Sequence, residues 1–292
     1  MPLGVMVAVL FAAALHAAWN ARLKASADPL PEALAVVMGA GLLALPALAA
    51  LPLPRPQSWP MLAASTALHV AYFVLVALAY RSGALSIAYP LMRGVPPAVV
   101  AAGAALFHGE TLSAAGWGAV LAIVLGVLML SGEGLKARAA SGRGLAMVGA
   151  NVVVIVAYTL VDGAGVRASG NAMSYAAWLF ALTGTALLPL YAGLMRGRNS
   201  ASLAARKWQV LLGSTCTLGA YGIALWAMTR APIALVAALR ETSILFGVAM
   251  AARWLREPLT PRRWLGWGWW RRAPWPCTLP DATRQPCCSA SF

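Results

Sequence analysis

Gly83-Ala-Leu-Ser-Ile-Ala-Tyr-Pro-Leu-Met-Arg93-Gly-Val-Pro-Pro97 opens a stretch that runs to Ser113 and is written twice. Laid without a gap on Arg230 to Thr260, it matches at a constant offset of 147 residues. Arg93 falls on Arg240, each seventeen residues ahead of a glutamate, Glu110 or Glu257. Each glutamate opens the same phrase, Glu110-Thr-Leu-Ser113 or Glu257-Pro-Leu-Thr260, and a tryptophan follows seven residues later, Trp117 or Trp264. Nearly everything between arginine and glutamate is apolar. A cation inside such a run is costly in hydrocarbon and is rarely kept without a use. Two of them in corresponding places point to two halves built around one central site.

Composition agrees with a membrane setting. The 292 residues are 61% hydrophobic and 10% charged, with a mean hydropathy of +0.75, where soluble domains carry about 25% charged residues. The net charge of +14 does not speak for nucleic acid, because the cations sit in short loops and form no stripe or tail. Basic loops between apolar runs are what the positive-inside rule expects. The four cysteines make neither a disulfide framework nor a metal site: Cys216 is alone in an apolar segment, and no histidine lies near Cys277, Cys287 or Cys288. No cofactor is expected.

Crossing hydrocarbon takes about 20 mostly apolar residues. Nine segments qualify, over 3–20, 33–53, 60–79, 84–107, 114–131, 145–162, 173–194, 209–229 and 232–252. The first lacks the positive leader of a signal peptide. It also has an internal counterpart, since Leu23-Lys24-Ala25-Ser26 echoes Val166-Arg167-Ala168-Ser169. The expectation is an all-α polytopic membrane protein, a ten-helix inverted repeat of five plus five. Residues 1–131 form the first repeat, 132–144 a basic linker, and 145–266 the second repeat. Five is odd, so the second half enters the membrane from the opposite side.

The tenth helix is degraded. After Trp264-Leu-Gly266 the chain reads Trp267-Gly-Trp-Trp-Arg-Arg-Ala-Pro-Trp-Pro-Cys277, with prolines again at 280 and 286, and proline breaks helices. Residues 267–292 read as a frameshifted or disrupted gene end, the other reading being an interfacial aromatic anchor. Loops after odd-numbered segments hold fourteen cations, whereas those after even-numbered segments hold three, Arg55, Arg167 and Arg230. That asymmetry puts the odd loops in the cytoplasm and the N-terminus outside.

Candidate site residues are polar groups that lipid would not tolerate. Arg93 lies among prolines 90, 96 and 97 and beside Tyr89. Irregular backbone at membrane depth is allowed only against protein or a water-filled cavity, and a fixed cation there suits a carboxylate or phosphonate. Alternatively, Arg93 is a staple paired with another helix's carboxylate. Arg240 and Glu241 point about 100° apart on a helix. The expected pairs are therefore Glu241 with Arg93 and Arg240 with Asp162. Glu241, Asp162 and His16 are the proton-coupling candidates, with a helix-capping role as the alternative for Asp162. His16, Trp19 and Asn20 share one face of segment one. Tyr72 with His69 in segment three, and Tyr221 with Trp226 in segment eight, add aromatic walls. Glu110 and Glu257 read as structural turn-makers, accepting from the first amides of the helix that follows them, with Ser113 or Thr260 as N-cap. No motif supports catalysis.

Taken together, ten helices in two five-helix repeats resemble the EamA family of the drug/metabolite transporter superfamily. Each repeat ends in Glu-x-Leu-Ser/Thr before a tryptophan-led helix, and segment one carries Leu15-His-Ala-Ala-Trp-Asn20 and Lys24. The resemblance spans residues 1 to about 266. It implies secondary transport, often export, of amino acids or related solutes across a bacterial-type inner membrane, with no ATP-binding part. It also implies cytoplasmic termini, against the charge count. The partners expected are a small-molecule substrate and the bilayer, not nucleic acid, with a homodimer left open. The rivals are a non-transporting scaffold or sensor and the inactive product of a disrupted transporter gene.

Overall fold

A computed structural model describes residues 1–24, 26, 28–81, 92–131, 142–196 and 206–247. Among them the chain is helical with no strand. The helices are α1 (Leu3–Lys24), α2 (Pro29–Ala50), α3 (Trp59–Arg81), α4 (Pro96–His108) and α5 (Ala114–Ser131). After residue 141 come α6 (Gly142–Ser169), α7 (Ala172–Ala186), α8 (Leu188–Met195), α9 (Lys207–Met228) and α10 (Ile233–Arg240). Six spans, starting at Leu3, Pro29, Pro56, Leu145, Ala172 and Lys207, are long and apolar enough to cross a membrane. The protein is a multi-pass membrane protein.

The boundaries differ from the expected segments where local chemistry intervenes. Segment four is helical over 92–94 and breaks at Val95, and α4 then starts at Pro96. Pro96 and Pro97 have no N–H, so the carbonyls of Met92 and Arg93 lose their intrahelical donors. Segment nine stops as α10 at Arg240 and resumes as helix at 243. No proline causes this break. The amides of Glu241 and Thr242 bond the carbonyls of Ala238 and Leu239 at 3.0 and 3.1 Å, tightening the turn, and the Thr242 hydroxyl takes Leu239 O at 2.6 Å. The two breaks fall at matched positions, since 95 plus the offset of 147 is 242. Segment seven divides at Leu187, ahead of Pro189, and α6 takes in residues 142–144 of the expected linker. Tyr89, Glu257, the expected tenth helix and the tail lie outside the described residues.

Outward faces are apolar and inward faces are small. On α1, Leu3, Val7 and Phe11 are exposed at four-residue spacing, while Val5, Val9, Ala12 and Ala13 are buried. Such a stripe suits lipid, where the inward face is free to pack by shape alone. Helix α2 packs on α7, α3 on α6, α1 on α9, and α4 on α10. The α2–α7 contact is the tightest kind: a Cβ added at Gly41 would lie 2.7 Å from the carbonyl oxygen of Phe180. Ala40, Ala44, Ala177 and Phe180 fill the rest of that seam. A second core joins Val9, Leu62, Val100, Leu160, Tyr175, Leu225 and Ile233, knitting α1, α3, α4, α6, α7, α9 and α10 together.

Because backbone cannot move aside like a side chain, Gly41→Val is expected to destabilise by about 1–3 kcal/mol. Thermal melting of the purified protein in detergent reads this as a lowered midpoint.

Candidate functional site

Arg93 stands in the turn before α4, where two carbonyls have lost their donors. Its Nη2 donates to His16 Nε2 on α1 at 2.5 Å, and Nη1 lies 3.5 Å from Glu241 Oε2 just past α10. Arginine offers only donors, so His16 Nε2 must be the acceptor, and the imidazole is neutral with its proton on Nδ1. Glu241 Oε2 is buried and takes no hydrogen bond itself, with Arg93 Nη1 3.5 Å away. The expected Arg93–Glu241 pair is therefore formed, between the turn before α4 and the turn after α10.

The second expected pair takes another form. Arg240 lies over the ring of Tyr221 on α9, 4.8 Å from its centroid. The Tyr221 hydroxyl donates to Asp162 Oδ2 at 2.5 Å, and the Tyr175 hydroxyl on α7 donates to Oδ1 at 3.0 Å. Arg240 thus meets Asp162 through a tyrosine rather than directly. Asp162 is fully buried and lies two turns inside the end of α6, so it caps no helix. A carboxylate without water needs its lone pairs filled, and two phenols do this. Gly165 makes room for one of them, since a methyl there would strike the Tyr175 hydroxyl.

Around this line sits an aromatic wall. His69 stacks on Tyr158 with centroids 4.4 Å apart and meets Tyr221 edge-on at 5.8 Å. Tyr72 meets Tyr158 edge-on at 6.2 Å. Tyr158 is the hub of this wall and was not singled out in the sequence. Its spacing to Asp162, four residues along α6, was the available signal. Trp19 stands edge-on to His16 at 6.1 Å with a buried, unbonded indole N–H. Asn20 turns back to the His16 carbonyl at 2.7 Å. Trp226 lies elsewhere, toward the end of α9 under the Arg230 guanidinium.

Both ends of the bundle carry ionic clamps. Glu110 departs from the expected role. Its two oxygens accept from the Ile233 amide, at 3.1 and 2.8 Å, and Arg167 Nη2 donates to Oε1 at 2.5 Å. It thus caps α10 in the other half of the chain, not the helix that follows it. Gly109, at φ 62°, ends α4 in the left-handed turn that swings Glu110 into place. Ser113 does cap α5, accepting from the Gly116 amide at 3.2 Å. Arg167 also donates from Nε to Met228 O at 2.8 Å and from Nη2 to Ala231 O at 3.1 Å. At the opposite end, Arg206 Nη1 bonds Glu32 Oε2 at 2.9 Å and the Ser26 hydroxyl at 3.0 Å. Beside that clamp, Trp19, Arg22, Glu32 and Gln209 line a cavity of about 100 Å³. Among the described residues no cluster of His, Cys, Asp or Glu suits a metal ion.

Residues 142–268 match the EamA-like transporter family. A solved structure described only as "Crystal structure of protein" shares the fold, with a TM-score of 0.70 at 17% identity, over 94% of this chain and 96% of that one. No curated protein matches the chain.

The Glu110 clamp predicts a measurable coupling. Hydrogen bonds to charged groups contribute about 1.5–3 kcal/mol, so Glu110→Ala is expected to destabilise by that amount in thermal melts. In a cycle with Arg167→Ala, the double variant should lose less than the sum of the two singles.

Proposed function

We propose that this chain, whose residues 142–268 match the EamA-like transporter family, is a transporter of the drug/metabolite superfamily that moves a small polar or anionic metabolite, such as an amino acid, by alternating access across a bacterial-type inner membrane. The observation that carries this reading is the Arg93–Glu241 pair, 3.5 Å apart and largely buried between two helix breaks. A guanidinium recognises a carboxylate or phosphonate in a planar fork. An incoming anion exchanges for Glu241 at Arg93, and protonation of Glu241 releases the cation in the same way. Asp162, held by two phenols, keeps Tyr221 and hence Arg240 in position beside it.

An inverted repeat of ten helices gives this site its setting. The helix contacts support it. When α1 is exchanged with α6, α2 with α7, α3 with α9 and α4 with α10, the α1–α9 contact becomes α6–α3, and α2–α9 becomes α7–α3. Contacts α2–α7 and α4–α10 map onto themselves, as helices astride a twofold axis must. Broken helices at matched positions of two halves are also where such transporters hold substrate. Loop charge sets the end clamped by Arg206 in the cytoplasm and the Glu110 end outside, and export is the direction proposed.

The test is flux in proteoliposomes against a panel of labelled amino acids, carboxylates and phosphonates. Arg93→Ala and Glu241→Gln are expected to lower uptake or counterflow of the active anion by tenfold or more, while the protein still elutes as a folded species. Arg93→Lys should retain part of the flux. Full transport by Arg93→Ala would refute the assignment.

A further inference from the structure

At the end of the bundle where α6 and α9 finish, Val166, Arg167, Gly170, Asn171, Met173, Trp226, Thr229 and Arg230 frame an open cavity of about 400 Å³. We propose that this cavity binds the phosphate headgroup of an anionic phospholipid. The charge on its rim is one-signed. Arg230 is exposed and rests on the Trp226 ring at 4.8 Å, with no carboxylate beside it among the described residues. Arg55 lies across Gly170, its Cζ 3.2 Å from where a Cβ would stand. Gly170, at φ 77°, is thus both the left-handed turn between α6 and α7 and the gap that admits this side chain.

Arg55, Arg167 and Arg230 are the three cations of the even-numbered loops, and all three gather at this one turn. The described carboxylate at this end, Glu110, is consumed by Arg167 and the Ile233 amide. That leaves Arg55 and Arg230 with no carboxylate partner among the described residues, and a pair of such guanidinium groups attracts phosphate.

Depth and shape favour a lipid over a free anion. Three membrane-length spans, Leu145–Ser169, Ala172–Met195 and Lys207–Met228, begin or end at the cavity, which puts it at headgroup level. Trp226 there is an amphipathic ring of the kind that settles at the boundary. Met173, 43% exposed on the lining, offers an apolar flank to an acyl chain.

Native mass spectrometry and thermal melting of the full chain in detergent test this, with phosphatidylglycerol, phosphatidylcholine and inorganic phosphate as separate additions. Expected are retained phosphatidylglycerol and a rise of several degrees in the midpoint, neither seen with phosphatidylcholine. Arg230→Ala and Arg55→Ala, which leave the Glu110–Arg167 clamp intact, should each cut retention severalfold without lowering the lipid-free midpoint. Equal protection by inorganic phosphate overturns the lipid assignment. Undiminished phosphatidylglycerol binding by both variants overturns the site.

Discussion

A single carboxylate, Glu110, seats the helix that completes the central site. It fills the free amide at the start of α10 and holds Arg167, which in turn holds the carbonyls of Met228 and Ala231 ahead of that helix. In the absence of water, an open helix start must find its acceptor within the protein. The rotation and height of α10 follow from that capture, and so does the position of Arg240 and Glu241 at its far end. The link also spans the chain, tying the end of α4 to α6, α9 and α10.

Charge in the interior is arranged rather than merely tolerated. Arg93 and Arg240 face Glu241 and Asp162, but the two carboxylates are treated differently. Asp162 is saturated by Tyr175 and Tyr221, so it acts as a fixed anchor. Glu241 retains a buried oxygen without a hydrogen bond, which is why the proposed exchange is assigned to it. A neutral His16 accepts from Arg93 and orients the guanidinium without adding charge. The breaks at Val95 and Glu241-Thr242 bring backbone polarity to the same level.

Much of the bundle was legible in the sequence because the bilayer restricts what a segment can be. Apolar length alone located most helices, and the offset of 147 between Arg93 and Arg240 singled out the two helix breaks. The 100° turn between neighbours on a helix removed Arg240 as the partner of Glu241 and left Arg93 as a candidate, which the structure pairs with it. Tyr158 and Tyr175 escaped because a single tyrosine in a membrane helix resembles ordinary packing. Trp226 was grouped with Tyr221 although five residues separate them, enough to carry it to the boundary. Glu32 and Arg206, far apart in sequence, gave no local signal at all.

By itself, then, the sequence determined a membrane-embedded helical chain, a stretch written twice and the few charged residues worth attention, because hydropathy, spacing and repetition are local properties. Tertiary structure decided which of those residues meet. Glu110 became a cap for α10 instead of the following helix, Tyr221 came between Arg240 and Asp162, and three scattered arginines converged on the Gly170 turn. Each of these depends on contacts between segments far apart in the chain, set by close backbone approach at glycine and by the need of every buried polar group for a partner.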